Sequence, residues 1–357
     1  MATTLPIISI RETSCYTFSM RSHLSLLAAL VSVVAASLCA LTSRSNLTLA
    51  ASSEKTLNFP ASQSVGWIID VPQDPGLECN IHGNRLCKAQ GTVKVSRSKH
   101  LKFEPNSHFF EQPECLLKLP SDAFDYIELR FLSMADNEEN ISDKVITYVT
   151  HLKGLKAVSL DKSETTDAAA AKLALLPNLI SLSATDSLVR GKCLNELRKC
   201  KSISFLRFGN GEIDHNSLQY LAQFPNLKRL SLRRAGLQKA DIEQVCKCTK
   251  LINLAISQNH GVDDSCVALV TRLKNLTDLE LADTAVSIAG LEKLSVLKNL
   301  NVSLPKPMAA YSPRERVRFK QLFPHSKFDL ESMVEKKKKR DINDFLDVTN
   351  QSSSNHK

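Results

Sequence analysis

The stretch Leu227-Lys-Arg-Leu230-Ser-Leu232 decides the fold, because its Leu-x-x-Leu-x-Leu spacing returns at a nearly constant interval along the chain. Six copies start at positions 155, 179, 203, 227, 251 and 276, an interval of about 24 residues. An interval of this length is typical of a solenoid, in which repeats stack because no single repeat can bury its own apolar face.

The second half of each copy carries an apolar spacing of its own. Leu218, Leu221 and Phe224 follow one another in steps of three, and the other copies hold apolar residues at the same positions. This spacing places the side chains on one stripe of a helix. Asp263 and Ser287 precede two of these helices and can accept hydrogen bonds from the first helical turn. Each copy is therefore predicted to form a strand, a turn, a helix and a second turn.

Together the two spacings resemble the leucine-rich repeat family, in particular its ribonuclease-inhibitor-like and cysteine-containing classes, which bear helices. The resemblance covers about residues 120–305 and implies an α/β solenoid with a curved parallel sheet inside and helices outside. The chain departs from the family at the turn after each strand, where many such repeats carry Asn or Cys. Only Asn259 keeps that pattern, and the other copies have Ser163, Ser187, Gly211, Ala235 and Thr284. Hydroxyl groups or water are therefore expected to satisfy most of these turns.

The array is predicted to extend beyond the six clear copies. Phe124, Ile127 and Leu129 have the spacing of an earlier strand, with an acidic insertion between it and its helix. At the other end, a copy that starts at Leu300 places Ser303 and Pro305 at apolar positions, as expected of a degraded terminal repeat.

The residues before the repeats do not follow the repeat pattern. Segments 65–71, 91–95 and 101–103 are β-prone and are separated by Pro and Gly turns, which predicts a small β-rich cap over the first repeat. A separate ligand-binding domain around Trp67 is the alternative. The predicted division is residues 1–45 as signal peptide or membrane anchor, 57–119 as N-terminal cap, 120–305 as repeats, 306–330 as C-terminal cap and 331–357 as a basic disordered tail.

An uncharged apolar segment near the N-terminus predicts export. Residues 24–41, LSLLAALVSVVAASLCAL, are flanked by Arg21 and Arg44. If translation starts at Met20, the segment has the form of a cleaved secretory signal; if it starts at Met1, the segment can remain as a membrane anchor. We therefore expect an exported or membrane-anchored, extracytoplasmic protein.

The ten cysteines do not form the pattern of a disulfide framework. Cys200 and Cys248 occupy positions that hold Leu or Phe in other copies, which predicts buried thiols. Cys79, Cys87 and Cys115 lie in the predicted cap, where one pair could form a disulfide whose partners the sequence leaves open. Cys79-x-x-His82 lacks the second paired motif that a zinc site requires, so no metal site or cofactor is predicted.

The basic charge of the chain is concentrated near its C-terminus. The net charge is +9, and the run Lys336–Arg340 contributes five positive charges. A solvated tail is the simpler interpretation, and contact with an anionic surface is the functional one. No nucleic-acid-binding motif accompanies the charge, so no nucleic acid partner is predicted, and the chain is expected to be a monomer.

The candidate site lies on the predicted sheet. Strand side chains alternate between faces, so the x positions of Leu-x-x-Leu-x-Leu point away from the core, onto the concave surface. Neighbouring copies place an aromatic residue and arginines together there, and carboxylates two copies further on. The predicted partner-binding residues are Phe205, Arg207, Arg229, Arg233, Asp278 and Glu280.

These observations predict a non-enzymatic scaffold that binds a protein or another macromolecule through the concave surface. No phosphate-binding loop, nucleophile elbow or metalloprotease motif is present, and no catalytic residue is proposed. One alternative is an intracellular adaptor resembling the substrate receptors of ubiquitin ligases. The other is an enzyme whose site lies in the N-terminal region near Trp67, His82 and His100, with the repeats as a targeting arm.

Overall fold

The computed structural model describes residues 53–72, 82–130 and 140–326. The apolar segment 24–41, Cys79, most of the acidic insertion and the basic run Lys336–Arg340 therefore lie outside the described residues. Within the described ranges, no helix combines the length and the apolar character that a membrane span needs.

The N-terminal region forms five strands. They are β1 (Glu54–Asn58), β2 (Gly66–Val71), β3 (Asn84–Lys88), β4 (Thr92–Ser96) and β5 (His100–Pro105). β1 pairs with β4, and β2 pairs with both β3 and β5, always antiparallel. β5 then joins the first strand of the repeats in parallel, so β5, β2 and β3 continue the sheet of the repeats, while β1 and β4 form a separate two-stranded sheet.

Each repeat contributes one short parallel strand. These are β6 (Tyr126–Glu128), β7 (Ala157–Ser159), β8 (Ser181–Thr185), β9 (Phe205–Gly209), β10 (Arg229–Arg233), β11 (Asn253–Ala255), β12 (Asp278–Glu280) and β13 (Asn301–Ser303). Within the described part of the chain, eleven strands form one sheet, in the order β13 back to β6, then β5, β2 and β3. The predicted α/β class is confirmed as a long, mostly parallel sheet with helices.

The last strand is registered differently from the sequence prediction. Leu279 pairs with Val302 rather than with Ser303, the residue that the repeat interval places opposite it. Val302 and Leu304 are buried together with Leu300, so the terminal repeat keeps three apolar core residues. The repeat interval predicts the wrong register because the connection between β12 and β13 is shorter than in the other repeats. Burial of the apolar side chains decides the register instead.

Helical segments connect the strands. The α-helices are α1 (Ser107–Glu111), α2 (Ile141–Val149), α3 (Asp167–Ala171), α4 (Leu194–Leu197), α5 (Lys239–Val245), α6 (Asp264–Val270), α7 (Ile288–Lys293) and α8 (Pro313–Leu322). Further 3-10 helices are Pro113–Lys118, Lys172–Leu175, His215–Gln223, Leu294–Val296 and Met308–Ala310. The Asp263 side chain accepts from the Ser265 and Cys266 N–H groups, and Ser287 accepts from that of Gly290, as predicted for caps.

One apolar core joins the strands to the helices. Leu206 and Leu230 from neighbouring strands are buried together with Leu218, Leu221 and Ile242 from the helical segments. Burying each such side chain contributes about 2 kcal/mol relative to leaving it exposed. Because strand side chains alternate, the residues between the core leucines lie on the opposite face, which we call the non-core face.

Carboxylates in the first helical turns link consecutive repeats. The Asp143 carboxylate accepts from the Thr166 N–H at 2.8 Å, and Asp264 accepts from the Ser287 N–H at 2.7 Å. Asp167 accepts from three backbone N–H groups of the next repeat, at 2.8, 3.0 and 3.0 Å. Each carboxylate thereby satisfies backbone donors that the start of the next helical segment leaves unpaired.

Candidate binding surface

The strand register places the predicted site residues in rows across the non-core face. Phe205 lies opposite Arg229, and Arg229 lies opposite Asn253. Gly209 lies opposite Arg233, so Arg233 sits at the end of β10 beside a residue without a side chain. Adjacent strands are about 5 Å apart, which brings these side chains within reach of one another.

An aromatic ring and three guanidinium groups form the arginine cluster, which we define as Phe205, Arg207, Arg229 and Arg233. The Arg207 guanidinium carbon lies 5.3 Å from the centre of the Phe205 ring, a cation–π arrangement. Phe205 is only 5% exposed, whereas the three arginines are half-buried. Burial lowers the pKa of Arg233, and the positive charge of Arg207 lowers it further. The cluster therefore concentrates positive charge where solvent is partly excluded.

The predicted carboxylate patch divides into two different environments. Glu280 forms an ion pair with Arg233 across the intervening strand β11. Ala255 and Ser257 on that path are small, which leaves room for the pair. Asp278 instead accepts hydrogen bonds from the Thr277 hydroxyl at 2.7 Å and the Asn301 amide at 3.0 Å. Glu280 thus contacts the arginine cluster, while Asp278 binds Asn301 on the last strand of the sheet.

The non-core face before the cluster carries small polar side chains. Ser159, Ser181 and Ser183 are fully buried, and Asp161 is 5% exposed. Asp161 accepts from the Ser183 hydroxyl at 2.6 Å and from the Thr185 N–H at 2.8 Å. Strands β7 and β8 therefore carry no long cationic side chain on this face, and such side chains appear again at β9, where Arg207 lies.

A second set of charged residues lies on the same face at strands β5 and β6, and the sequence analysis did not predict it. The Lys102 side chain is 3% exposed and forms ion pairs with Glu104 at 2.7 Å and with Glu128 at 2.6 Å. Arg130 reaches the other oxygen of Glu128 at 2.5 Å. These charges neutralise one another. Their alternation along β5 was visible in the sequence, but the pairing of β5 with β6 was not.

Trp67 lies beside this network. Arg85 lies 4.8 Å and Lys88 6.0 Å from its ring centre, and the ring packs against a small apolar cluster on the non-core face. Trp67 does not lie close to His82 and His100, the two histidines named with it as a possible enzyme site. His100 pairs with Val71, at the far end of β2 from Trp67, and His82 is exposed.

The cysteines of the described residues are free thiols. Cys115 is buried and Cys87 half-buried, while Cys79 lies outside the described residues. Burial raises the pKa of Cys115 to about 11 and that of Cys248 to about 12. The predicted burial of Cys200 and Cys248 is confirmed. Across residues 53–72, 82–130 and 140–326, no group of three or more His, Cys, Asp or Glu side chains is arranged to hold a metal ion.

No protein-family model and no curated protein sequence matches the chain. Among solved structures, an internalin (inlF) from Listeria monocytogenes str. 4b F2365 is similar in part. The similarity covers 56% of this chain and 68% of the internalin chain, with 16% sequence identity and a TM-score of 0.37.

Proposed function

We propose that this chain is a non-enzymatic binding protein that recognises a protein partner through the arginine cluster on the non-core face of its sheet. The observation that supports this most directly is the convergence of Phe205 with Arg207, Arg229 and Arg233 on adjacent strands. Arginine side chains are enriched among the residues that dominate the energetics of protein interfaces, because they bring several hydrogen-bond donors. Phe205, which is only 5% exposed, contributes through its contact with Arg207.

The sheet offers a preformed surface for such binding. The cluster stands on β9 and β10, which pair along their whole length, and their core side chains are buried. Side chains on a rigid strand lose little conformational freedom when a partner binds, so more of the interaction energy appears as affinity. The resemblance of the repeats to the leucine-rich repeat family supports the same function.

A capture experiment with a charge-reversed variant tests the proposal. The whole chain and its Arg207→Glu, Arg229→Glu, Arg233→Glu variant are immobilised and exposed to extracts of the source cells. The matched control carries Lys201→Glu, Lys250→Glu and Lys274→Glu, three exposed residues outside the strands with the same total change in charge. Thermal unfolding of all three proteins verifies that they fold.

The expected result is a partner, identified by mass spectrometry and reproduced with purified protein, that the wild type and the control retain and the cluster variant loses. Retention by all three proteins would place the interaction elsewhere on the chain and contradict the proposal. Turnover of a substrate by the purified chain would contradict its non-enzymatic part.

We further propose that the protein acts outside the cytoplasm, on the basis of the apolar segment 24–41. Cell fractionation followed by N-terminal sequencing of the mature protein tests this. A protein found in the cytoplasmic fraction with residues 24–41 intact would favour the intracellular adaptor alternative instead.

A further inference from the structure

Two guanidinium groups of the arginine cluster are incompletely neutralised. Within the described residues, Arg207 makes no ion pair, and its contact is with the Phe205 ring. Arg233 has a carboxylate partner in Glu280, which Nη2 contacts, but its Nε is buried without a hydrogen-bond acceptor. The charge of Arg233 is therefore balanced by a single carboxylate, and that of Arg207 by none within the described residues.

The two arginines also repel each other. Arg207 on β9 lies opposite Ser231, and Arg233 on β10 lies opposite Gly209. The two arginines are therefore diagonal neighbours on adjacent strands. The positive charge of Arg207 contributes to lowering the pKa of Arg233. A carboxylate placed between them would attract both guanidinium groups and accept from their outer N–H groups, since guanidinium and carboxylate geometries are complementary.

The surroundings select among anionic partners. Glu280 forms an ion pair with Arg233, and Asp278 lies two strands from Arg229 in the same row. A continuous polyanion such as a nucleic acid would place further negative charges near these carboxylates and be repelled. A peptide that presents an isolated carboxylate beside an apolar residue avoids that repulsion, and its apolar residue can contact the aliphatic part of Arg207.

We propose that the arginine cluster binds an acidic peptide segment of the protein partner, with one side-chain carboxylate held between Arg207 and Arg233. This inference rests on the proposed function and names the chemistry of the partner. Glu280 then competes with the incoming carboxylate for Arg233, so removing the Glu280 charge strengthens binding. This gain is specific to carboxylate recognition, because loss of a contact residue ordinarily weakens an interface.

The test uses two fluorescent seven-residue peptides with blocked ends, one of alternating Glu and Leu and one of alternating Gln and Leu. Fluorescence anisotropy with the purified full chain measures the Kd of each. The Glu peptide is expected to bind at least about tenfold more tightly than the Gln peptide, since charge-assisted hydrogen bonds contribute more than neutral ones. Its affinity should fall as salt is added. Equal affinity for the two peptides, or tighter binding of a single-stranded oligonucleotide, would overturn the inference.

Single variants give effects of opposite sign. Arg207→Gln and Arg233→Gln are expected to weaken Glu-peptide binding about tenfold each. Glu280→Gln is expected to strengthen it about two- to fivefold, the range of a partly exposed ion pair. Asp283→Asn removes the same charge from an exposed residue in the turn that follows and should leave the Kd unchanged. If Glu280→Gln weakens binding or matches Asp283→Asn, the proposed competition does not occur.

The outcomes separate the two proposals. Capture of a partner that depends on the cluster, together with failure of the Glu peptide, would retain the proposed function and reject the acidic segment. Capture that does not depend on the cluster would reject both. Thermal unfolding of each variant ensures that a lost signal does not reflect loss of the fold.

Discussion

At the scale of single residues, Asn259 contributes more than its position in one turn suggests. Its side-chain amide donates to the carbonyl oxygens of Leu232, Ile256 and Ser257 at 2.9, 2.9 and 3.1 Å. Its oxygen accepts from the backbone N–H groups of Ala235 and Leu237 at 2.9 and 3.1 Å. One buried amide therefore serves the turns of two repeats, because it has two donor hydrogens where a hydroxyl has only one.

Replacing Asn259 by Ala is expected to lower the free energy of unfolding by about 3 kcal/mol, because several buried backbone groups lose their partners. Urea unfolding followed by circular dichroism measures the change. Asn226→Ala is the control, since Asn226 is exposed and donates to a single carbonyl, that of Lys201, at 2.9 Å. An equal decrease in the free energy of unfolding of the two variants would show that the buried hydrogen bonds of Asn259 stabilise the fold no more than the exposed one of Asn226.

Thiol reactivity is a second property of individual residues. Burial raises the pKa of Cys248 to about 12 and of Cys246 to about 11, so very little reactive thiolate exists near neutral pH. Cys87 is half-buried and should be alkylated first among the described cysteines. We expect iodoacetamide at pH 8 to label Cys87 well before Cys248 in native protein and to label both equally in urea, as read by peptide mass spectrometry. Rapid native labelling of Cys248 would contradict the burial.

At the scale of elements, every strand-to-helix turn of the clear repeats uses the same backbone conformation. One non-glycine residue per repeat has a positive φ, and these are Lys162, Asp186, Asn210, Arg234, Gln258 and Asp283. They recur at the same interval as the strands. Left-handed backbone is unfavourable for ordinary side chains, so the stacked repeats impose it and packing compensates for it.

Gly209 allows strands β9 and β10 to approach. A Cβ atom at this position would lie 2.2 Å from the Arg233 carbonyl oxygen, and the residue has a φ of 157°. Gly209→Ala is therefore expected to lower the free energy of unfolding by about 2–4 kcal/mol, as for other strained or overpacked sites, and to weaken binding at the adjacent cluster. Thermal unfolding and peptide anisotropy measure the two effects.

Gly91→Ala is the comparison for that variant. Gly91 also has a positive φ, of 61°, but a Cβ atom added there would meet no atom within 4 Å beyond its own chain neighbours. Only backbone strain of about 1 kcal/mol applies there. A Gly209→Ala protein as stable as Gly91→Ala would mean that β9 and β10 can separate without cost.

At the scale of the whole described unit, Asp125 ties the N-terminal strands to the first repeats. Its carboxylate accepts from the Leu101 N–H at 3.1 Å and from Lys156 Nζ at 2.8 Å, and it lies 3.4 Å from His100 Nδ1. Burial by itself would raise the pKa of Asp125, but the hydrogen bonds from Lys156 and the Leu101 N–H outweigh it and lower the pKa. The ionised form therefore stabilises the folded chain.

This shift predicts a defined pH dependence. A carboxyl group whose pKa is lower in the folded than in the unfolded state stabilises the fold fully above the unfolded pKa, about 4, and loses that contribution as the pH falls through the folded value. Asp125→Asn should lower the free energy of unfolding by about 2 kcal/mol at pH 7, and the difference from wild type should shrink below about pH 4. Urea titrations at several pH values measure it.

Asp122→Asn serves as the control for that experiment. Asp122 is 57% exposed and pairs with Arg97 at 2.9 Å, and such surface pairs contribute about 0–1 kcal/mol. A difference between wild type and Asp125→Asn that stays constant from pH 7 to pH 3 would rule out the ionised carboxylate as its source.

The sequence by itself determined the repeat, the strand positions and the cluster of candidates on one face. These depend on local spacing, since side chains alternate along a strand and a nearly constant period aligns each strand with the next. Leu206 opposite Leu230 and Phe205 opposite Arg229 follow directly from that period. The hydroxyls of Ser163 and Ser187, which donate to turn carbonyls at 2.7 and 3.1 Å, confirm that hydroxyl groups satisfy these turns.

Only the tertiary structure decided which charges meet. The Arg233–Glu280 pair crosses β11, Asp278 is held by Thr277 and Asn301, and Lys102 is buried between carboxylates from two strands. The Arg233–Glu280, Asn301–Asp278 and Lys102–Glu128 contacts depend on side-chain reach between elements that are distant in sequence. The shortened step from Leu279 to Val302 has the same origin, because burial of apolar side chains against their neighbours, rather than the count of residues, sets the register of a strand.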